Sequence, residues 1–283
     1  MKKIGIVGQG FVGNAVYQKF KKYYDVLTTD LDETKSTSTL YNLVSSCDTI
    51  FLCLPTPMKK SGKCDVSILE TVLNEIDLLV DNLETERTII IKSTIPPGTT
   101  QTFNKRYESL NIVFNPEFLT ERNAVEDFNN QNRIIVGGQR PYTTNVVGMF
   151  SKAFPNAHII KTDSTHAEMV KYVTNSFLAT KVSFANEVYQ ICNKLDIDYD
   201  KVIEYATQDD RLGKSHWSVP GHDGDFGYGG HCFPKDVKAL IHLAEDVLEL
   251  YPTMLRATDK KNNTVRKNRD WEQMKGRAVS WRT

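Results

Sequence analysis

Ile4-Gly5-Ile6-Val7-Gly8-Gln9-Gly10-Phe11-Val12-Gly13 lies close to the N-terminus, and the architecture of the chain can be worked out from it. A short apolar run enters a glycine turn, and an amphipathic segment, residues 11–21, leaves it. Each glycine has its own physical use. Gly8 makes the tight turn, Gly10 lets the backbone approach a pyrophosphate, and Gly13 lets the helix pack closely on the strand. The N-terminus of the helix that begins at Phe11 and Val12 then faces the anion. A glycine turn alone is weak evidence, since unrelated α/β proteins also contain one. Here strand and helix flank it, and Asp30 stands 20 residues beyond Gly10 at the end of the next strand. An acid there accepts hydrogen bonds from ribose hydroxyls and repels a 2′-phosphate, so the pattern predicts NAD rather than NADP.

Further along, apolar runs alternate with amphipathic stretches. Strands are predicted at 3–7, 26–29, 49–54, 88–92, 112–115, 133–137 and 158–161, and helices at 11–21, 66–79, 99–107 and 141–154. The alternation predicts an α/β fold over residues 1–162, a Rossmann-type doubly wound, mainly parallel sheet. From Ser164 to residue 195 there is no Pro or Gly. Met169, Tyr172, Val173, Phe177, Leu178, Val182, Phe184 and Val188 recur at helical spacing, with Ser164 as the expected N-cap. A helix longer than about 25 residues usually crosses between domains or forms a dimer interface. Residues 163–250 are therefore expected to be an all-α central domain with a long interface helix, further helices at 200–206 and 235–248, and a Gly-, His- and Asp-rich loop between. Residues 251–283 carry a basic stretch, 260–269. They are expected to supply a linker helix and, at 275–281, the opening strand of a third domain that does not continue.

Composition narrows the function classes. The 283 residues suggest about two domains at ~150 residues each. Lys+Arg 35 balance Asp+Glu 35, which argues against a nonspecific nucleic-acid or membrane-surface binder. No apolar run approaches the ~20 residues needed to span a bilayer. Met1-Lys2-Lys3 before an apolar run imitates a signal peptide, but glycines and Gln9 break the run and no small-residue cleavage site follows. The five cysteines show no CxxC spacing, so neither a disulfide framework nor a zinc ribbon is indicated, and a cytoplasmic protein is expected.

One of those cysteines has unusual surroundings: Gly227-Tyr228-Gly229-Gly230-His231-Cys232-Phe233-Pro234-Lys235-Asp236. The glycines free the backbone for close approach to a ligand. Cys232 stands near a helix start, where the dipole and Lys235 favour a thiolate and hence a nucleophile. The alternative is a buried cysteine behaving as a small hydrophobe, the default for this residue. A metal site from His222, His231 and Cys232 fits no common zinc spacing, so no metal is expected. Cys53, on an apolar strand, and Cys192, on the long helix, read as packing residues.

Taken with five other segments, this motif resembles the UDP-glucose/GDP-mannose dehydrogenase family. The matching segments are Gly8 to Gly13 with Asp30; Leu54-Pro55-Thr56-Pro57; Lys92-Ser93-Thr94-Ile95-Pro96-Pro97-Gly98-Thr99-Thr100; Asn115-Pro116-Glu117-Phe118-Leu119-Thr120-Glu121; and Glu168-Met169-Val170-Lys171-Tyr172-Val173-Thr174-Asn175-Ser176-Phe177-Leu178-Ala179. They occur in the family's order. The resemblance implies oxidation of a sugar-nucleotide alcohol to a uronate with two NAD, UDP-glucose being the first substrate to expect and GDP-mannose or a UDP-N-acetylhexosamine the alternatives. It assigns Cys232 the capture of the aldehyde as a thiohemiacetal and then a thioester. Lys171 and Asn175, four apart and so on one helix face, would stabilise the oxyanions. Glu117 would assist thioester hydrolysis, and Thr94 with Asp236 would hold a water that helps remove the first proton. Thr56, Pro57, Thr94 and Glu121 join the cofactor side. Phe118, Leu119, Glu121, Gly229 and Lys235 fall on the substrate side, and Arg211 resembles an arginine that reaches into a neighbouring subunit. A homodimer through the long helix follows. Two departures stand out. Arg122 occupies a position where the family usually has Gly, and the family's third, Rossmann-like domain is not in this chain.

Two rivals differ in class. A two-domain hydroxyacid dehydrogenase shares the NAD domain, the long helix and the Lys-x-x-x-Asn spacing, but performs one oxidation and has no use for Cys232. A non-catalytic remnant that binds NAD or sugar nucleotides needs none of the reacting groups, all of which this chain retains.

Overall fold

A computed structural model describes residues 2–83 and 86–282; Met1 and Thr283, the outer bounds of the expected domains, lie outside them. The chain divides into two compact units. Unit 1 comprises Met1–Thr56 and Val66–Lys171, and unit 2 comprises Pro57–Asp65 and Tyr172–Thr283.

Unit 1 contains all seven predicted strands, within a residue or two at each end: β1 (Lys3–Val7), β2 (Asp25–Thr29), β3 (Thr49–Leu52), β4 (Arg87–Ile91), β5 (Leu110–Phe114), β6 (Arg133–Gly137) and β7 (His158–Thr162). They form one sheet in the order β2-β1-β3-β4-β5-β6-β7. Every pairing is parallel except β5 with β6, which meet antiparallel at Phe114 and Gly137. The helices between them are α1 (Phe11–Phe20), α2 (Leu40–Ser46), α3 (Ser67–Asp81), α4 (Thr99–Arg106), α5 (Ala124–Asn129) and α6 (Tyr142–Ala153).

Strand side chains alternate between faces, so each strand feeds two cores. Ile50, Leu52, Ile89, Ile91, Ile112 and Phe114 join α2, α3 and α4 on one face. Ile4, Ile6, Phe51, Ile90 and Val113 join α1, α5 and α6 on the other. The second core centres on Phe20, which meets Phe150 edge-on at 5.3 Å and Phe51 at 5.4 Å. Burying a ring of this size is worth ~2 kcal/mol or more. This is the expected doubly wound architecture. Its strand order reverses between β1 and β3, beside the glycine turn, which is where ligands of such sheets bind.

The interruption-free stretch is one helix, α7 (Ser164–Leu195), whose first residues belong to unit 1 and the rest to unit 2. Its cap is not Ser164. The Asp163 carboxylate accepts the His166 amide at 3.0 Å and the Asp163 carbonyl accepts the Ala167 amide, so Asp163 holds the N-cap position and Ser164 is the first helical residue. Unit 2 continues with α8 (Tyr199–Ala206), α9 (Phe233–His242) and α10 (Thr253–Val265). The helix expected over 235–248 ends early. At Leu243–Val247 the ladder widens to a π turn, and Glu249 then takes a left-handed backbone conformation with φ 55°.

The expected strand at 275–281 does not form. Gly276 (φ 75°) bends the chain, and residues 278–280 pair with Met58 instead: Met58 donates its amide to Ala278 and accepts the Ser280 amide, both at 2.8 Å. Ser280 Oγ also donates to buried Asp65 Oδ2 at 2.5 Å. None of the described helices is long and apolar enough to cross a membrane.

Candidate active site

In unit 1 the glycine turn has the shape a pyrophosphate requires. Gly8 has φ 91°, and a Cβ there would sit 2.5 Å from the Cys53 carbonyl oxygen. At Gly13 a Cβ would collide with the Gly8 carbonyl, so strand and helix approach as closely as backbone allows. Beside Gly10 the situation is opposite: a Cβ would meet nothing within 4 Å. Gly10 is the N-cap of α1, no side chain caps the helix and no acid lies in its first turn, Phe11 and Val12 included. The positive end of the helix dipole thus faces the turn without a carboxylate of the chain's own first turn against it, a setting that favours an anion. Asp30 lies at the rim, its Oδ2 accepting the Gln9 amide at 2.5 Å and its Oδ1 the Asp32 amide at 2.9 Å. This cradle fits NAD, whose ribose hydroxyls would use the same carboxylate.

Next along the sheet, buried Thr56 donates Oγ1 to the Thr94 carbonyl at 2.7 Å, and Ser93 Oγ donates to Leu54 O at 2.6 Å. These bonds tie the Leu54–Pro57 and Lys92–Thr94 motifs together at the carboxyl ends of β3 and β4. Thr94 itself is buried.

After β5 comes Glu117, buried and fully engaged. Its Oε1 accepts Lys171 Nζ at 2.9 Å and its Oε2 the Leu119 amide at 2.7 Å, while Lys171 Nζ also donates to the Glu117 carbonyl at 2.6 Å. Burial alone would raise the pKa of Glu117. Lys171, the Leu119 amide and Lys92 outweigh it and hold the carboxyl below its ordinary range, so it is ionised at neutral pH. Phe118 receives two cations on its ring, Arg133 at 4.4 Å and Lys171 Nζ at 5.4 Å. Glu121 is exposed in the loop beyond.

Two buried groups of this unit carry no role in the motif matches. Lys92 Nζ donates to Asn115 Oδ1 at 2.8 Å, and burial lowers its pKa to about 8. Glu168, three residues before Lys171, accepts the Gly98 amide at 2.6 Å and the Thr100 amide at 2.8 Å at the start of α4. Burial nevertheless raises its pKa to about 6. Its position near the start of a helix gave no hint that its partners lie some 70 residues earlier.

In unit 2, Cys232 is the N-cap residue of α9, with Pro234 in the first turn. It is partly exposed. Two further groups stand on the same helix. Asp236 is 1% exposed and takes Lys235 Nζ on Oδ1 at 2.5 Å and Asn175 Nδ2 on Oδ2 at 2.6 Å. Burial would lower the pKa of Lys235, but the charge of Asp236 and the neighbouring Cys232 and Cys64 raise it well above the ordinary value. Lys235 is therefore a permanent cation one turn from the cysteine. Cys47 and Cys53, by contrast, are pushed by burial to about 11 and about 12, which keeps them as thiols.

The structure thus joins Glu117 to Lys171, Phe118 and Leu119, and joins Asn175 to Lys235 and Asp236. Lys171 and Asn175 follow each other by one turn of α7. Pro57 belongs to unit 2, where its carbonyl accepts the Asp65 amide at 2.7 Å. Gly229 lies in the loop that precedes Cys232. Arg211 joins neither set: its guanidinium is exposed and ion-paired with Asp209. Among the described residues no three His, Cys, Asp or Glu side chains could hold a metal ion.

Comparison with known proteins finds two models of one family along the chain. The model of the UDP-glucose/GDP-mannose dehydrogenase family, NAD binding domain, matches residues 31–154, and that of the same family's central domain matches residues 165–264. UDP-glucose 6-dehydrogenase TuaD of Bacillus subtilis is 30% identical over 87% of this chain and 59% of its own length. UDP-glucose 6-dehydrogenase AglM of Haloferax volcanii is 30% identical over 86% of this chain and 65% of its own length. The chain therefore spans less than two thirds of either relative. Among solved structures, a UDP-glucose dehydrogenase from Pyrobaculum islandicum superimposes with a TM-score of 0.84 at 25% identity, covering 93% of this chain and 68% of that one.

Proposed function

The chain belongs to the UDP-glucose/GDP-mannose dehydrogenase family and carries its NAD-binding domain, and from that premise we propose that it oxidises UDP-glucose to UDP-glucuronate in two steps at Cys232. The observation that carries the proposal is the polar set at the start of α9: a cysteine at the helix N-cap, with a buried Lys235–Asp236 pair one turn away that Asn175 of α7 joins.

NAD, when bound, accepts one hydride in each of the two oxidations. The first converts the C6 alcohol to an aldehyde. Its hydroxyl proton leaves through a water held by Thr94 and Asp236, and the Lys171 ammonium and Asn175 amide stabilise the alkoxide. The Cys232 thiolate then adds to the aldehyde carbon to give a thiohemiacetal, whose oxygen returns to the same two donors. Loss of the second hydride from that carbon leaves a thioester. Glu117, already ionised, removes a proton from the water that attacks it, so the carboxylate is released and the thiol is regenerated. Phe118, Leu119, Glu121, Gly229 and Lys235 contact the sugar nucleotide. A cytoplasmic setting, where thiols stay reduced, suits a cysteine nucleophile.

The test is stoichiometry with UDP-glucose, GDP-mannose and a UDP-N-acetylhexosamine as parallel substrates. Two NADH per UDP-glucose are expected from the wild type, and no uronate from Cys232→Ala. One NADH per substrate, undiminished in that variant, would instead identify a single-step alcohol dehydrogenase.

The functional unit is proposed to be a homodimer. Val173, Phe177, Phe184, Ile191 and Leu195 are exposed at intervals of four and seven along α7, an apolar stripe on one side of the helix. A second copy of α7 would cover it and would bring exposed Arg211 to a neighbouring subunit.

A further inference from the structure

The loop that leads to Cys232 is held almost entirely by side chains. Its own backbone turns tightly, with Gly224 donating to Gly221 O at 2.9 Å and Gly221 to Asp225 O at 2.8 Å. Beyond that point the amides go outward. Gly227 donates to Asn186 Oδ1 at 3.1 Å, Tyr228 to Asn262 Oδ1 at 2.7 Å, and Gly230 to Asp270 Oδ2 at 3.0 Å. Asn262 closes a second bond, donating Nδ2 to Tyr228 O at 3.0 Å. Gly227 and Gly230 have φ 69° and 70°, a conformation that costs other residues and that glycine leaves unlocked unless something holds it.

One side chain organises this arrangement. Arg266, just after α10, is 1% exposed at its side chain and lies among three carboxylates. It donates Nη2 to Asp223 Oδ2 at 2.6 Å and to Asp270 Oδ1 at 3.2 Å, with Asp225 Oδ2 at 3.8 Å from Nε. Nε itself donates to Asn268 O at 2.7 Å. Asp225 Oδ2 in turn accepts the Lys267 and Asn268 amides at 3.1 and 2.7 Å. A Cβ at Gly229 would collide with Arg266 Nη2 and Asp270 Oδ1, so the glycine backbone lies directly on the guanidinium.

We propose that Arg266 is a positioning residue: with Asp223 and Asp270 it locks the 227–230 backbone and so fixes the place of the Cys232 thiol. A planar guanidinium suits this task, since Nη2 takes Asp223 and Asp270 together while Nε reaches Asn268 O. An ammonium on a flexible stem could take the carboxylates but would lose the separate bond to Asn268 O. The catalytic half of the proposal rests on Cys232 being the nucleophile; the locking half does not.

The experiment measures hydrogen exchange of the peptide covering 226–232 and steady-state kinetics in Arg266→Met, Arg266→Lys and Asp270→Asn, each confirmed folded by circular dichroism. For Arg266→Met, exchange of that peptide should quicken at least tenfold while peptides from β1, β3 and β4 are unchanged. Its kcat should fall at least tenfold with KM for NAD within twofold, and Arg266→Lys should lie between it and the wild type. If Arg266→Met does not fold, Asp270→Asn must still quicken exchange at Gly230. Unchanged exchange in a folded Arg266 variant, or a kcat loss matched by KM for NAD, would overturn the proposal. If Cys232→Ala still yields two NADH per UDP-glucose, the nucleophile assignment fails while the exchange result stands.

Discussion

Asn175 and Asp236, 61 residues apart in the chain, share a 2.6 Å hydrogen bond in which the Asn175 amide satisfies the carboxylate oxygen that Lys235 leaves open. The carboxylate therefore has a neutral donor on one side and a cation on the other. Both charged members are nearly inaccessible, with side chains 9% and 1% exposed. Removing one partner of such a pair costs more than the pair contributes, because the other charge stays buried alone.

Asp236→Ala should accordingly destabilise the protein by ~3–5 kcal/mol in denaturant unfolding. Adding Lys235→Met to it should recover part of that loss. A double variant less stable than Asp236→Ala would show that Lys235 contributes by packing rather than by charge.

The glycine turn predicts opposite outcomes at positions three apart. Gly13→Ala places a methyl against the Gly8 carbonyl and should cost about 3 kcal/mol of stability or more. Gly10→Ala meets nothing and has an ordinary φ of −69°, so thermal stability should hold. The methyl would then occupy pyrophosphate space, and NAD affinity measured by calorimetry should fall at least about tenfold.

Glu168 predicts a pH dependence. Its folded pKa is about 6 against an ordinary 4.5, so between those values the folded chain binds more protons than the unfolded one. This contribution is present below pH ~4.5 and is lost as pH rises through ~6. Relative to Glu168→Gln, wild-type stability should decline by ~1–2 kcal/mol across that window. A flat difference would mean that the Gly98 and Thr100 amides fully offset burial.

The apolar stripe on α7 predicts association. Phe177→Asp with Phe184→Asp, both exposed positions, should leave the fold intact by circular dichroism and reduce the sedimenting mass by half. Unchanged mass would place the subunit contact elsewhere.

Much of this architecture could be read from residue order because its causes are local. Buried parallel strands are short apolar runs, so the runs from Ile4 to Val7 and from Ile89 to Ile91 declare themselves, and Gly8, Gly10 and Gly13 declare the turn. Cys232 stood out by its glycines. What stayed hidden depends on partners far along the chain. Lys92 looked like a strand end until Asn115 took its ammonium, and Glu168 like a helix acid until α4 presented its amides. Arg266 sat within a basic run that reads as solvated charge, since nothing in its neighbourhood announces Asp223. The early end of α9 and the missing strand at 275–281 have the same origin. Propensity sees a continuous pattern, whereas a π turn and a pairing with Met58 are decided by tertiary context.

The segment Pro57–Asp65 is part of unit 2 although unit 1 precedes and follows it in the chain. The polypeptide therefore changes unit after Thr56, after Asp65 and after Lys171. A gene-level exchange between relatives with a single crossover at the α7 junction would supply Asp65 from one parent and Ser280 from the other. Such a chimera would inherit a buried carboxylate without its matched hydroxyl. Recombination that respects this protein has to move two separate stretches of coding sequence together, and the unit that carries Cys232 is heritable only as that pair.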